Sequence, residues 1–125
     1  MAGERILVVD DEAEIVELLR DVLGAEGYVV DTAQEAAAAI QLIRENIYDV
    51  ALLDFNLPDM NGVMLHHKIL QMDPELASST IFMSGLIQSD ENLGYYMSQS
   101  GGFLAKPFDI RDVLRQVLAV LGDES

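Results

Sequence analysis

Two short apolar runs, Ile6-Leu7-Val8-Val9 and Val50-Ala51-Leu52-Leu53, each end in aspartate: Asp10-Asp11 after the first, Asp54 after the second. Residues that are apolar at consecutive rather than alternate positions predict strands buried on both faces. Such strands belong to a parallel sheet, and parallel neighbours need a crossover between them. The intervening segments supply one each time. Ala13 to Glu26 carries Ile15, Leu18, Leu19, Val22 and Leu23 at helical spacing, and Gly27 stops it. Gln34 to Glu45 is alanine-rich, with Ala36, Ala39, Ile40 and Ile43 predicted to face inward.

The alternation continues along the chain. Tyr28 to Thr32 reads as a second strand, and Val50 to Leu53 as the third. Leu57-Pro58-Asp59-Met60-Asn61-Gly62 is loop chemistry before a helix from about Val63 to Met72, which Asp73-Pro74 breaks. Thr80 to Met83 is a fourth strand ending at Ser84-Gly85. Ser89 to Ser98 predicts a weaker helix, since Gly94 interrupts it and aliphatics are few. Phe103 to Ala105 is a short fifth strand. Asp109 caps a last helix whose apolar face is Val113, Leu114, Val117, Leu118 and Leu121, and Gly122 ends it. Five βα units predict an α/β fold: a doubly wound parallel sheet, in three layers, with right-handed crossovers. The 125 residues suffice for a single domain spanning 1–125, with no internal repeat or linker.

Composition excludes several function classes. Twenty-two acidic against 7 basic residues leave a formal charge of −15, which argues against direct nucleic-acid binding and against anionic lipid surfaces. The absence of cysteine removes disulfide and thiolate chemistry. No apolar run approaches a membrane span, and Met1-Ala2-Gly3-Glu4-Arg5 lacks a signal-peptide pattern, so the expected setting is cytoplasmic.

Chemistry concentrates at the predicted strand ends. Open α/β sheets bind ligands outside the carboxyl ends of their strands. That edge receives Asp10, Asp11, Asp54, Ser84 and Lys106. Three converging carboxylates are costly unless a divalent cation joins them or a pKa shifts. Asp54 is the candidate nucleophile, because a carboxylate can attack phosphorus and form an acyl phosphate. Such transfer needs in-line positioning and charge neutralisation more than acid–base work. Mg²⁺ suits the second task, with Asp11 and Asp54 as direct ligands, the Asn56 backbone carbonyl as another oxygen, and Asp10 acting through water. Lys106 offers a flexible point charge for a phosphate oxygen, and Ser84 a hydroxyl donor for another. Lys106-Pro107 invites a cis peptide.

Each of these elements alone has an ordinary explanation as a turn, cap or core residue; the ordered set does not. The Asp10-Asp11 pair, Asp54-Phe55-Asn56-Leu57-Pro58-Asp59-Met60-Asn61-Gly62, Ser84-Gly85 and Phe103-Leu104-Ala105-Lys106-Pro107-Phe108 stand in the order and spacing of a known family. The chain resembles the receiver domain of bacterial two-component response regulators over essentially its full length. The resemblance implies a flavodoxin-like sheet with strand order 2-1-3-4-5. It implies that Asp54 takes phosphate from a sensor histidine kinase or phosphotransfer protein, with Mg²⁺ required. It implies that Ser84 and Phe103 form a switch. The hydroxyl moves toward the phosphoryl group, the aromatic ring turns inward, and the face made by the Ser89–Ser98 helix, the fifth strand and the last helix shifts for a downstream effector. The kinase is expected to touch the first helix, including Glu14 and Glu17, and the loops around Asp54 and Pro107.

Some positions depart from the family's commonest pattern. Ser84 stands where threonine is more frequent, and Phe103 lacks a tyrosine hydroxyl. Asn92-Leu93-Gly94-Tyr95-Tyr96-Met97-Ser98 is poor in the charges through which many DNA-binding relatives dimerise, although Arg111 and Arg115 remain on the last helix. Dimerisation is therefore left open, and Tyr95, Tyr96 and Met97 are either a partner patch or core. Asn56 and Leu86 flank the site, where the family tunes phosphate loss. Leu86 cannot orient water, so slower self-dephosphorylation is expected than for Leu86→Glu. The chain is either a complete regulator or the N-terminal part of a longer one.

Other readings fare worse. A haloacid-dehalogenase-like phosphatase also uses an Asp nucleophile with Mg²⁺, but Asp54 is followed by Phe55-Asn56 rather than a second aspartate two positions on. A nucleotide-binding module needs glycines after the first strand, where this chain has Asp-Asp-Glu. The remaining alternative is a receiver-like protein-binding module that works without phosphate.

Overall fold

A computed structural model describes residues 3–85 and 101–122. The helix expected over Ser89–Ser98, and with it Leu86, Tyr95, Tyr96 and Met97, lies outside the described residues. In chain order the elements are β1 (Arg5–Val9), α1 (Ala13–Ala25), β2 (Val29–Ala33), α2 (Ala36–Glu45), β3 (Val50–Asp54), α3 (Gly62–Met72), α4 (Pro74–Ser78), β4 (Thr80–Ser84), β5 (Gly102–Ala105) and α5 (Ile110–Leu121).

The strands form one parallel sheet in the order β2-β1-β3-β4-β5. Burial follows that order. β3 and β4 are buried at every residue, β1 at all but Arg5, whereas the edges β2 and β5 are largely half-exposed. The consecutive apolar runs are thus the central strands, because only a central strand is covered on both faces. Alternate residues point to opposite sides. Leu7, Val9, Ala51, Leu53 and Phe82 pack under α2, α3 and α4. Ile6, Val8, Leu52, Ile81 and Met83 pack under α1 and α5.

Three local outcomes differ from the sequence expectation. Asp73-Pro74 breaks α3 as expected, but the chain then turns once more as α4, with Pro74 in its first turn and the Asp73 carboxylate accepting from Leu76 N–H at 3.1 Å. Proline suits that position because its missing N–H would have no helical partner. Leu18 and Leu118 do not join the core; both stay 39% exposed, while Val16, passed over in the sequence, is buried. Ile40 is only partly buried, at the rim of the cluster that holds Ala36, Ala39 and Ile43. His66 is buried on α3 and donates from Nε2 to the Ala77 carbonyl at 2.8 Å, which ties α3 to α4.

Candidate functional site at the carboxyl edge of the sheet

β1 lies between β2 and β3, so the chain reverses its direction of winding beside β1, the place at which open α/β sheets bind their ligands. Asp10 and Asp11 follow β1 directly, and Asp54 is the last residue of β3, the next strand. Asp10 is wholly buried and Asp54 is 5% exposed, whereas Asp11 is exposed. Ser84, also buried, ends β4 one register step past Met83, the partner of Asp54. Lys106 follows β5, and its N–H reaches the Ser84 carbonyl at 2.8 Å. The Lys106–Pro107 peptide is cis.

The lysine ties these strand ends together. Lys106 Nζ donates to Asp10 Oδ2 at 2.7 Å and to Glu12 Oε1 at 3.0 Å, and stands 3.6 Å from Asp54 Oδ1. Burial alone would lower the ammonium's pKa, but the bonds to Asp10 and Glu12 outweigh it and hold it above the ordinary value. The Asp54 carboxyl moves the other way. Burial, then the charge of Asp10, push it up to about 6, with Lys106 offsetting only part. An acid raised by burial and by neighbouring negative charge is stabilised in its ionised form by any added cation.

Asp10, Asp11 and Glu12 present carboxylate oxygens within 4.8 Å of one another, and these hard oxygen donors fit a divalent cation. Asp54 is not a member of that group of three. Glu12 is in it, and the sequence reading did not select it. The Asn56 N–H points back to Asp54 Oδ1 at 3.3 Å, and Asn56 bridges Asn61 across the loop. Phe103 is half-buried on β5, its ring against the cluster beneath α2 and α3.

The loop after Asp54 is closed by close backbone approach. Gly62 N–H donates to the Phe55 carbonyl at 2.7 Å, and a Cβ at Gly62 would lie 3.1 Å from Phe55 Cα. Phe55 stacks edge-on against Phe82 with ring centroids 5.8 Å apart. From the same loop, Asp59 accepts the N–H groups of Ala36 at 2.8 Å and Ala37 at 3.0 Å. It thereby caps α2, whose own N-cap residue Glu35 makes no side-chain bond. Spacing gave no sign of this cap, because it is supplied from 23 positions away.

Residues 6–118 match the response regulator receiver domain family. The chain belongs to that family. This receiver domain is 30% identical over 116 residues to the probable transcriptional regulatory protein TcrX of Mycobacterium tuberculosis, covering 93% of this chain and 49% of that protein. It is 32% identical over 117 residues to the transcriptional regulatory protein ResD of Bacillus subtilis, covering 94% and 48%. It is also 35% identical over 118 residues to the sensor histidine kinase RcsC of Salmonella typhimurium, covering 94% of this chain and 12% of that protein. The receiver domain thus spans about half the length of the two regulators and a small part of the kinase. Among solved structures, a CheY-like receiver domain protein of Methanospirillum hungatei superposes with a TM-score of 0.88 at 27% identity, covering 98% of this chain and 96% of that one. A two-component response regulator of Clostridium difficile gives 0.86 at 25% identity, covering 96% and 97%. The strand order expected from the resemblance is the one found. No helix among the described residues is long and apolar enough to cross a membrane.

Proposed function

We propose that the receiver domain is a phosphorylation-dependent switch in which Asp54 accepts a phosphoryl group from the phosphohistidine of a sensor kinase or phosphotransfer protein. The observation that carries this reading is the placement of Asp54: a buried carboxylate at a strand end, with Lys106 Nζ 3.6 Å from one oxygen and Asp10 and Asp11 close enough to act on its charge. An Asp54 oxygen attacks phosphorus, the P–N bond to the donor imidazole breaks, and the imidazole leaves. The protein's own part is to hold the nucleophile in line and to meet the phosphoryl oxygens with charge and hydrogen-bond donors.

Lys106, beside Asp54, would donate to one phosphoryl oxygen and the Ser84 hydroxyl to another. Asp10, Asp11 and Asp54, with the Asn56 carbonyl, would hold Mg²⁺, and Glu12 stands beside them. When bound, Mg²⁺ would neutralise negative charge on the phosphoryl oxygens. The domain is then a substrate that assists its own modification, not an enzyme acting on others. Ser84 and Phe103 transmit the state to the β5–α5 face, where an effector reads it. The exposed carboxylates of Glu14 and Glu17 on α1 border the approach for the donor.

Incubation with acetyl phosphate and Mg²⁺, followed by a phosphate-affinity gel, tests this. A retarded band that Asp54→Ala abolishes supports it. An unshifted, folded protein would replace it with a protein-binding module that works without phosphate.

A further inference from the structure

Lys106 is held by a residue that helix formation does not explain. Its Nζ donates to Asp10 and Glu12 at 2.7 and 3.0 Å, while Asp54 Oδ1 lies at 3.6 Å, beyond good hydrogen-bond range. An ammonium has three N–H donors, and two are engaged away from the reacting carboxylate. The two holders differ. Asp10 is fully buried, and its other oxygen accepts the Glu12 N–H at 2.9 Å. The Glu12 side chain is 61% exposed.

Glu12 is also the N-cap residue of α1, yet its carboxylate makes no capping bond. Ser, Thr, Asp and Asn are the residues whose short side chains cap helices well. The Glu12 side chain instead turns to Lys106, whose position lies 94 residues further along the chain.

We propose that Glu12 is a positioning residue that holds Lys106 away from Asp54 in the resting domain and yields it when a phosphoryl group arrives. The proposal rests on the reading of Asp54 as phosphoacceptor and adds a control on the lysine. An exposed ion pair is weakened by water and salt, so a phosphoryl oxyanion beside Asp54 displaces Glu12 more readily than it displaces buried Asp10. Glu12 therefore sets how easily Lys106 is recruited.

Two measurements test it. In the metal-free protein, the NMR scalar coupling between Lys106 Nζ and Cγ reports whether the side chain keeps one rotamer. It is expected to be that of a fixed rotamer in the native domain and partly averaged in Glu12→Gln, where Asp10 alone still holds the ammonium. In calorimetric titrations with beryllium fluoride and Mg²⁺, Glu12→Gln is expected to bind the phosphoryl mimic roughly twofold to fivefold more tightly, the change a screened ion pair corresponds to. In a Lys106→Met background the same substitution should change nothing, because the coupling runs through the lysine.

An equal gain in both backgrounds would overturn the proposal, since Glu12 would then only repel anions. So would Mg²⁺ binding weakened by more than about tenfold in Glu12→Gln without the mimic, a loss larger than a screened neighbouring charge gives, which would make Glu12 a metal ligand. Unchanged lysine averaging also overturns it. Failure of the native domain to bind beryllium fluoride at all would instead sink the phosphoacceptor reading, while the metal-free NMR result still decides the Glu12–Lys106 contact.

Discussion

Burial and the charge of Asp10 hold the Asp54 carboxyl at about 6 in the folded protein, against an ordinary value of 3.8. Between those values the folded state binds a proton that the unfolded state has released. Stability therefore falls as pH rises from about 4 to about 6, and the loss persists at neutral pH. Asp54→Asn is expected to raise the urea midpoint of the metal-free domain at about pH 7 and to leave it unchanged below about pH 4. Asp59 is the opposite case. The backbone N–H groups of Ala36 and Ala37 hold its carboxyl below the ordinary 3.8. Its contribution is complete above that range and is lost as pH falls through the depressed value. Asp59→Ala should lower Tm at neutral pH and lose most of that effect in strong acid, as thermal melts across the range would record. Asp54 stood out in the sequence because it ends an apolar run. Asp59 did not, because an aspartate in a loop is ordinarily a turn former.

At the scale of elements, β5 shows how an edge strand is finished. Phe103 turns its N–H and C=O outward, away from β4, where they would lack partners in the sheet. The Gln116 carboxamide on α5 takes both: Oε1 accepts the Phe103 N–H at 3.1 Å, and Nε2 donates to the Phe103 carbonyl at 2.6 Å. Gly102 leaves the room, since a Cβ there would collide with Gln116 Oε1. Gln116→Ala is expected to cost roughly 1–2 kcal/mol in chemical denaturation and to speed amide exchange at Phe103 selectively. Because Phe103 is the proposed switch aromatic, this clamp also joins its backbone to α5. The boundaries of α1, α2, α3 and α5 were readable from apolar spacing and breakers to within two residues. The turn of α4 was not, because Asp73-Pro74 reads equally as an end and as a beginning; the capping bond from Asp73 decides for the second.

For the whole molecule, the sheet separates two packed layers, and Phe82 joins the core to the site. It is fully buried on β4, 5.8 Å from the Phe55 ring beside Asp54 and 5.3 Å from the His66 ring on α3. Phe82→Ala should cost about 3–5 kcal/mol in urea unfolding, whereas Ile47→Ala, at a side chain 81% exposed, should stay within about 0.5 kcal/mol. The sequence by itself determined the α/β class, the central strands and the aspartates at their ends, because consecutive apolar residues and helical spacing are local patterns that report burial directly. It also carried, in the order of its motifs, the resemblance that the family match bears out. Only the tertiary structure decided that Glu12 holds Lys106, that Asp59 caps α2 and that Gln116 finishes β5. Those partners lie 94, 23 and 13 positions apart, and no local pattern encodes a contact that exists only once the sheet is assembled.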